Sequence, residues 1–323
     1  MGVGLALLAL LSAATPGLAA AAYPAKAIRI VVTYVPGGST DVVARMLAQH
    51  LGEDLGQQIV VDNRGGAGGI IGTEIVAHAP PDGYTMLFGT SAGLSINPLL
   101  HKKLPYNVER DFAPVSLVVV NPQLLVAYPG LPANSIGELI KLARARPGQI
   151  NYASPGVGSP NHMGMELFKS MAGVDLVHVP YKGGAPATTD LISGQVQLLF
   201  NSIPSVLPHI KSGRLKAIAI GSVSRSPSVP DIPTISETGV PGFEYVTWYG
   251  LFAPSRTSRA VVAHLSTAVR RVLNKPELDR QLRAQGSEPS PSTPHELAKF
   301  MRTEHARWER VVRTIALYPQ SAQ

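Results

Sequence analysis

Two hydrophobic periods alternate along the chain. The runs IRIVVTYV (28–35), QQIVVDN (57–63) and YTMLFGT (84–90) are dense in Ile, Val, Leu and aromatic residues and predict strands. The first is followed by helical spacing over 41–51, and the second by GGAGGIIGTEIVAHA, which reads as a further helix. APVSLVVVNPQLLVAYP (113–129) is a long apolar stretch that Pro122 is expected to break. The pattern then restarts with a helix over 135–146, a strand at INYAS (150–154), a strand over 175–181 and a short helix over 187–194. Further strands are expected at 196–202, 215–221 and 245–254, with a Pro/Ser-rich loop at 224–234. The remainder reads as helical, and Thr293-Pro294-His295-Glu296 carries the cap, first-turn proline and capping-box glutamate of a helix start. Strand–helix alternation of this kind predicts an α/β fold with largely parallel sheets.

One unit occurs twice. VVTYVPGGSTD and INYASPGVGSPNH each run from a strand through a Gly/Ser loop into a helix. The economical architecture is two α/β domains, each aiming a helix N-terminus at a shared cleft. Residues 23–122 and 246–323, with the C-terminal helices, are assigned to one lobe and 123–245 to the other. The first 22 residues have a different character. VGLALLALLSAA is an apolar core, Pro16-Gly17 breaks it, and LAAAA supplies small residues, as in an export leader cleaved near Ala20–Ala22. No Lys or Arg precedes the apolar core, and the run is shorter than the ~20 residues of a spanning helix.

Composition removes several functions. There is no cysteine, so disulfides, thiolate metal sites and a cysteine nucleophile are excluded. The net charge of +7 is concentrated from Arg256 onward, where Lys and Arg outnumber Asp and Glu by 12 to 6. The excess therefore sits on the C-terminal helices, away from the glycine loops and without aromatic interleaving. That favours a solvated helix face over nucleic-acid binding, with contact to anionic lipid as a lesser alternative. The nine histidines lack metal-ligand spacing: His295-Glu296-Leu297-Ala298-Lys299 starts like HExxH and ends in Lys. No metal and no cofactor are expected.

The glycine motifs then limit the chemistry. No GxxxxGK[ST] occurs, Asn161 stands where Gly156-Val157-Gly158 needs its third glycine, and Ile71 does so in the 65–72 segment. Gly89-Thr90-Ser91-Ala92-Gly93 matches GxSxG after a strand, so a secreted serine hydrolase using Ser91 is the rival reading. The segment after it contains Pro98 and does not read as a long helix, which favours a pocket-lining turn. The two Gly/Ser loops suit a carboxylate, because glycine lets backbone N–H groups approach a ligand at the positive end of a helix. Ser39, Thr40 and Ser159 either donate hydroxyls to that anion or cap their helices; Ser159-Pro160 reads well as a cap and first helical residue. Asp41 either braces its loop or pairs with a ligand amine, and Lys182 either neutralises a second carboxylate or points to solvent.

Six segments, in order from Tyr23 almost to the C-terminus, resemble the tripartite tricarboxylate transporter solute receptors, the Bug (Bordetella uptake gene) family. They are YPAKAIRIVVTYVPGGSTDVVAR, VVDNRGGAGGIIG, LPYNVERDFAPV, SPGVGSPNHMGMELF, VPYKGGAPATTDLISGQV and EYVTWYGLFAP. The resemblance implies a two-lobed periplasmic binding protein of type II-like fold, non-catalytic and monomeric. Such a receptor closes on a small carboxylated organic acid and delivers it to a membrane permease of one large and one small subunit. A receptor presenting its ligand to a sensor kinase would share the same fold. Residue by residue, the resemblance places the ligand at Gly37, Gly38, Ser39, Thr40 and Asp41, and at Ser154, Gly156, Gly158, Ser159 and His162. Ser91, Ala92, Asn97, Tyr181 and Asn201 match positions near the cleft. The chain departs from the family where Val35 replaces the first proline of Pro-Pro-Gly-Gly and where Ser39 replaces a third glycine, which leaves the particular acid open.

Overall fold

The computed structural model describes residues 23–316, so the expected export leader and its cleavage near Ala20–Ala22 lie outside the described residues. The described residues begin with β1 (Ile28–Val32), α1 (Ser39–Leu55), β2 (Ile59–Asn63), a 3-10 turn at Ala67–Gly69, α2 (Ile70–Ala77) and β3 (Thr85–Thr90). A π-helical turn at Ala92–Ile96, α3 (Asn97–Leu100) and α4 (Val108–Asp111) lead into the long β4 (Phe112–Ala127). There follow α5 (Ile136–Ala145), β5 (Asn151–Ser154), α6 (Pro160–Ala172), β6 (Val177–Pro180), α7 (Gly184–Ser193), β7 (Leu198–Ser202), α8 (Ile203–Lys211) and β8 (Lys216–Ile220). After α9 (Ile235–Thr238) come β9 (Val246–Pro254), α10 (Arg259–Leu273), α11 (Pro276–Ala284), β10 (Glu288–Pro289) and α12 (Pro294–Ala316). Two prolines had hidden α8 from the periodicity; Pro204 sits in its first turn, where its missing N–H costs nothing, and Pro208 is tolerated inside.

The strands run in the order β2-β1-β3-β9-β4-β7-β5-β6, with β8 and β10 both joined to β4. β1 pairs in parallel with β2 and β3, and β5 with β6 and β7, while β4 and β9 run antiparallel to their neighbours. In each parallel set the loops after the C-terminal strand ends gather at one edge, the usual place for a ligand in such sheets.

β4 corrects one expectation. Pro122 does not break the apolar stretch, because 112–127 is a single strand. From Phe112 to Pro122 it pairs with β9, and from Gln123 onward with β7 and, from Leu124, with β8. The residue without an N–H falls where the ladder changes partner, a place where proline is least disruptive. The chain returns beside this point: Tyr245 N donates to Gly221 O (2.7 Å) and Gly221 N to Gln123 O (2.8 Å). A Cβ at Gly221 would stand 2.5 Å from Tyr245 O, so only glycine fits where the strands cross.

Each half has its own cores. Ile28, Ile30 and Val32 of β1 face Val43 and Leu47 of α1, and Val31 on the opposite face meets Trp248 and Phe252. In the other half Tyr152, Phe168, Phe200 and Phe243 form an aromatic core, each full burial contributing about 1.5–3 kcal/mol. α12 belongs to both, since Leu297 packs into the first and Trp308 and Val311 into the second. Between them the buried Glu304 accepts from the indoles of Trp248 (3.2 Å) and Trp308 (3.1 Å) and pairs with Arg307, which also reaches Glu244. The predicted capping box starts α12: Thr293 N donates to Glu296 and Glu296 N to Thr293 Oγ1. Much of the C-terminal basic excess is ion-paired, as in Arg271–Asp54, Arg283–Asp279 and Arg313–Glu309. Among the described residues no helix is long and apolar enough to cross a membrane.

Candidate functional site

The loop after β1 is built around Asp41. Gly37, at φ +86°, turns the chain so that its N–H donates to Asp41 Oδ2 (2.9 Å). The same carboxylate accepts from Arg45 Nε (3.0 Å) and from Asn63 Nδ2 (2.9 Å), and Asn63 also holds Tyr34 O (3.0 Å). Burial raises the pKa of Asp41, but the bonds from Arg45, Gly37 and Asn63 outweigh it and hold the carboxyl below its ordinary value. Of the two roles open to Asp41, the structure shows the brace: its oxygens are engaged by the protein, and it ties the loop to the end of β2.

That brace leaves the start of α1 open. The N-cap is Gly38, which has no side chain to accept from the first turn, so the leading N–H groups of α1 point out uncapped. Ser39 and Thr40 lie inside the helix and do not cap it. Ser39 Oγ instead lies 3.0 Å from the hydroxyl of Tyr249 on β9, which faces Thr90 across the sheet. Tyr249 and Asn63 were missed by sequence reasoning. The signal for Tyr249 was a phenol in the middle of a buried strand, a group that must find a polar partner.

The loop after β5 is arranged differently. Ser159 Oγ accepts from His162 N (3.3 Å), so Ser159 is a true N-cap followed by Pro160. Gly158 N donates to His162 Nδ1 (3.2 Å), and Gly156 N to Ser154 Oγ (3.2 Å). This loop pairs the N–H groups of Gly156, Gly158, Ser159 and His162 internally, whereas the start of α1 has no side-chain cap. Beneath it runs a stack of rings: Tyr152 on His178 (centroids 4.9 Å apart) and His178 on His162 (4.1 Å). His178 Nε2 lies 2.6 Å from Ser154 Oγ, while Tyr152 OH and Lys169 Nζ both bond Glu166. Burial, then the neighbouring His162, pushes His178 down to about 3; burial chiefly lowers His162 as well. Both rings are therefore neutral near pH 7, and His162, accepting on Nδ1, carries its proton on Nε2.

Residues 43–317 match the tripartite tricarboxylate transporter family receptor. The chain belongs to that family. Protein BugT of Bordetella pertussis is 41% identical to the receptor over 305 residues, 93% of this chain and 94% of BugT. Among solved structures, R. palustris Rpa4515 with adipate is 37% identical with a TM-score of 0.79, covering 90% of this chain and 98% of that one. MatC of Rhodopseudomonas palustris with bound malate is 35% identical with a TM-score of 0.75, covering 90% and 100%.

The remaining expected residues fall into three groups. Ser91 and Ala92 follow β3 at the same sheet edge as the first loop, and Asn97 Nδ2 donates to Gly68 O (3.1 Å), joining α3 to the glycine turn after β2. Ser91 has relaxed helical angles (φ −53°, ψ −38°), unlike the strained turn of a nucleophile elbow, and among the described residues its hydroxyl has no histidine partner. Tyr181 lies beside the second loop, its N–H donating to Ser154 O (2.9 Å) and its hydroxyl to Asp190 (2.7 Å). Asn201 bonds Thr188 (3.2 Å) and Ser202 N (2.8 Å) within a groove of about 550 Å³ between α7 and α8. Lys182 is exposed, the solvent-facing alternative of the two.

Proposed function

We propose that this receptor binds a small organic acid by its carboxylate and presents it to a tripartite tricarboxylate-type permease of one large and one small subunit. The observation that carries this reading is the uncapped N-terminus of α1, held open by the Asp41 brace opposite a loop that caps itself. Backbone N–H groups at a helix start hold an anion without a counter-charged side chain. Adipate and malate, the acids bound to two structural relatives, belong to the chemistry such a seat takes. Ser39 and Ser91 would supply hydroxyls around it, whereas the Ser154 hydroxyl is already engaged with Gly156 O and His178.

Residues 23–122 with 246–323 would form one lobe and 123–245 the other, closing about the Pro122/Gln123 change of partner and the crossing at Tyr245. The strand pairing on either side of that point supports this division. Closure removes water from the carboxylate, and the closed shape is what a permease can distinguish from the open one. The receptor would act as a monomer in the periplasm, after removal of the leader.

Mass spectrometry of small molecules released on denaturing the purified protein identifies the acid. A thermal-shift screen of ligand-stripped protein then shows stabilisation by that acid. The absence of any stabilising carboxylate would overturn the reading. Ester turnover abolished by Ser91→Ala would replace it with the hydrolase.

A further inference from the structure

Eight large apolar side chains are exposed among the described residues, and four of them border the loops just described: Val35 (69%), Ile71 (46%), Leu100 (38%) and Val157 (65%). Val35 directly precedes Pro36-Gly37-Gly38, and Val157 lies between Gly156 and Gly158. Their neighbours connect them. A Cβ at Gly65 would meet Val35 Cγ1 at 3.3 Å, and one at Gly66 would meet Ile71 Cδ1 at 2.7 Å, so both side chains cover the glycine turn after β2. Asn97 fastens that turn to α3 through Gly68 O, and Leu100 ends α3. Leu100 Cδ1 in turn lies 3.0 Å from where a Cβ at Gly158 would stand, beside Val157. The four side chains thus form a rim that passes from one half of the protein to the other, next to the carboxylate seat.

The paired cations nearby are not available to a second anion on this rim. Arg45 is held by Asp41 and Asn63, Lys169 by Glu166, and Lys182 is exposed at the approach to α7. A second carboxylate pressed against the rim would lose its water without a buried cation to replace it. A hydrocarbon segment placed there gains from burial.

We infer, resting on the carboxylate reading above, that the receptor selects acids whose carboxylate is joined to a hydrocarbon segment, which Val35, Ile71, Leu100 and Val157 enclose on closure. The occupant is fixed by continuity, because the rim begins at Val35, just before Pro36-Gly37-Gly38 of the first loop, and ends inside the second.

Isothermal titration of the ligand-stripped protein with butyrate, hexanoate, octanoate, malate and citrate tests this. Kd falls roughly fourfold per added methylene until the rim is filled, and hexanoate binds more tightly than malate or citrate. Leu100→Ser and Val157→Ser, each shown to unfold at the wild-type temperature, flatten the series. A flat wild-type series, or malate or citrate binding more tightly than hexanoate, overturns the inference while leaving the carboxylate receptor standing. A full slope retained in both variants overturns it too, and a loss of permease-dependent uptake alongside would assign the rim to the membrane partner. If none of the five acids binds while another carboxylate stabilises the protein, the inference fails alone; if no carboxylate does so, the carboxylate reading fails with it.

Discussion

Asp41→Asn is the sharpest perturbation of the candidate site, because it changes one atom and removes one charge. The native carboxylate accepts from Gly37 N, Arg45 Nε and Asn63 Nδ2, and its side chain is almost fully buried. An amide can accept on one atom only. If that atom keeps the Gly37 N–H, the new NH2 faces Asn63 or Arg45, donor against donor. The lost charge-assisted bond costs about 1.5–3 kcal/mol, and a buried donor left without a partner about 1–3 kcal/mol. Arg45 is half exposed and recovers water, and Asn63 retains Tyr34 O, so the lower part of each range applies. A loss of about 2.5–4 kcal/mol follows, read as a lower urea midpoint at unchanged m-value. Because the same bonds fix the loop proposed to seat the ligand, Kd for the bound acid is expected to rise about 10- to 100-fold, at 1.4 kcal/mol per factor of ten.

The pH dependence has a definite sign. The folded Asp41 carboxyl lies below its unfolded value, since its three donors outweigh burial. Its contribution is complete above the unfolded pKa of about 3.9 and is lost as pH falls through the folded value. Urea melts between neutrality and acid therefore show a shallower acid loss in Asp41→Asn than in wild type. An Asp41→Asn protein with the wild-type midpoint, the wild-type acid slope and unchanged affinity would refute the brace.

Two further predictions test the surroundings. Ser159→Ala removes the cap of α6 and lowers stability by about 1 kcal/mol; chemical denaturation measures it, and no change would mean that Ser159 serves the ligand alone. Gly164→Ala places a Cβ 2.4 Å from the ring of Tyr245; overpacking of that kind costs about 1–3 kcal/mol, and a melting temperature equal to wild type would show that the ring yields freely.

The local pattern of the sequence was sufficient for most elements and for both glycine loops. Period-two apolar runs and helix-start signals depend on neighbours a few residues apart, so β1, β3, β5, β9 and the start of α12 were legible. The same locality made Pro122 look like a break and concealed α8 behind two prolines, since only the sheet partner and the packing tell otherwise. What each loop does with its donors was not legible. Ser39 and Ser159 both read as caps or anion ligands, yet Ser39 meets Tyr249, 210 residues away, while Ser159 caps α6. Asp41 likewise acquired its role from Asn63 on the neighbouring strand, and Ser154 acquired a histidine from β6. The sequence by itself determined that two strand–loop–helix units place a Gly/Ser loop at a helix start, each readable as a cap or as an anion seat. The tertiary structure alone decided that one is braced open and the other closed on itself, because hydrogen-bond partners are chosen by which strands lie side by side.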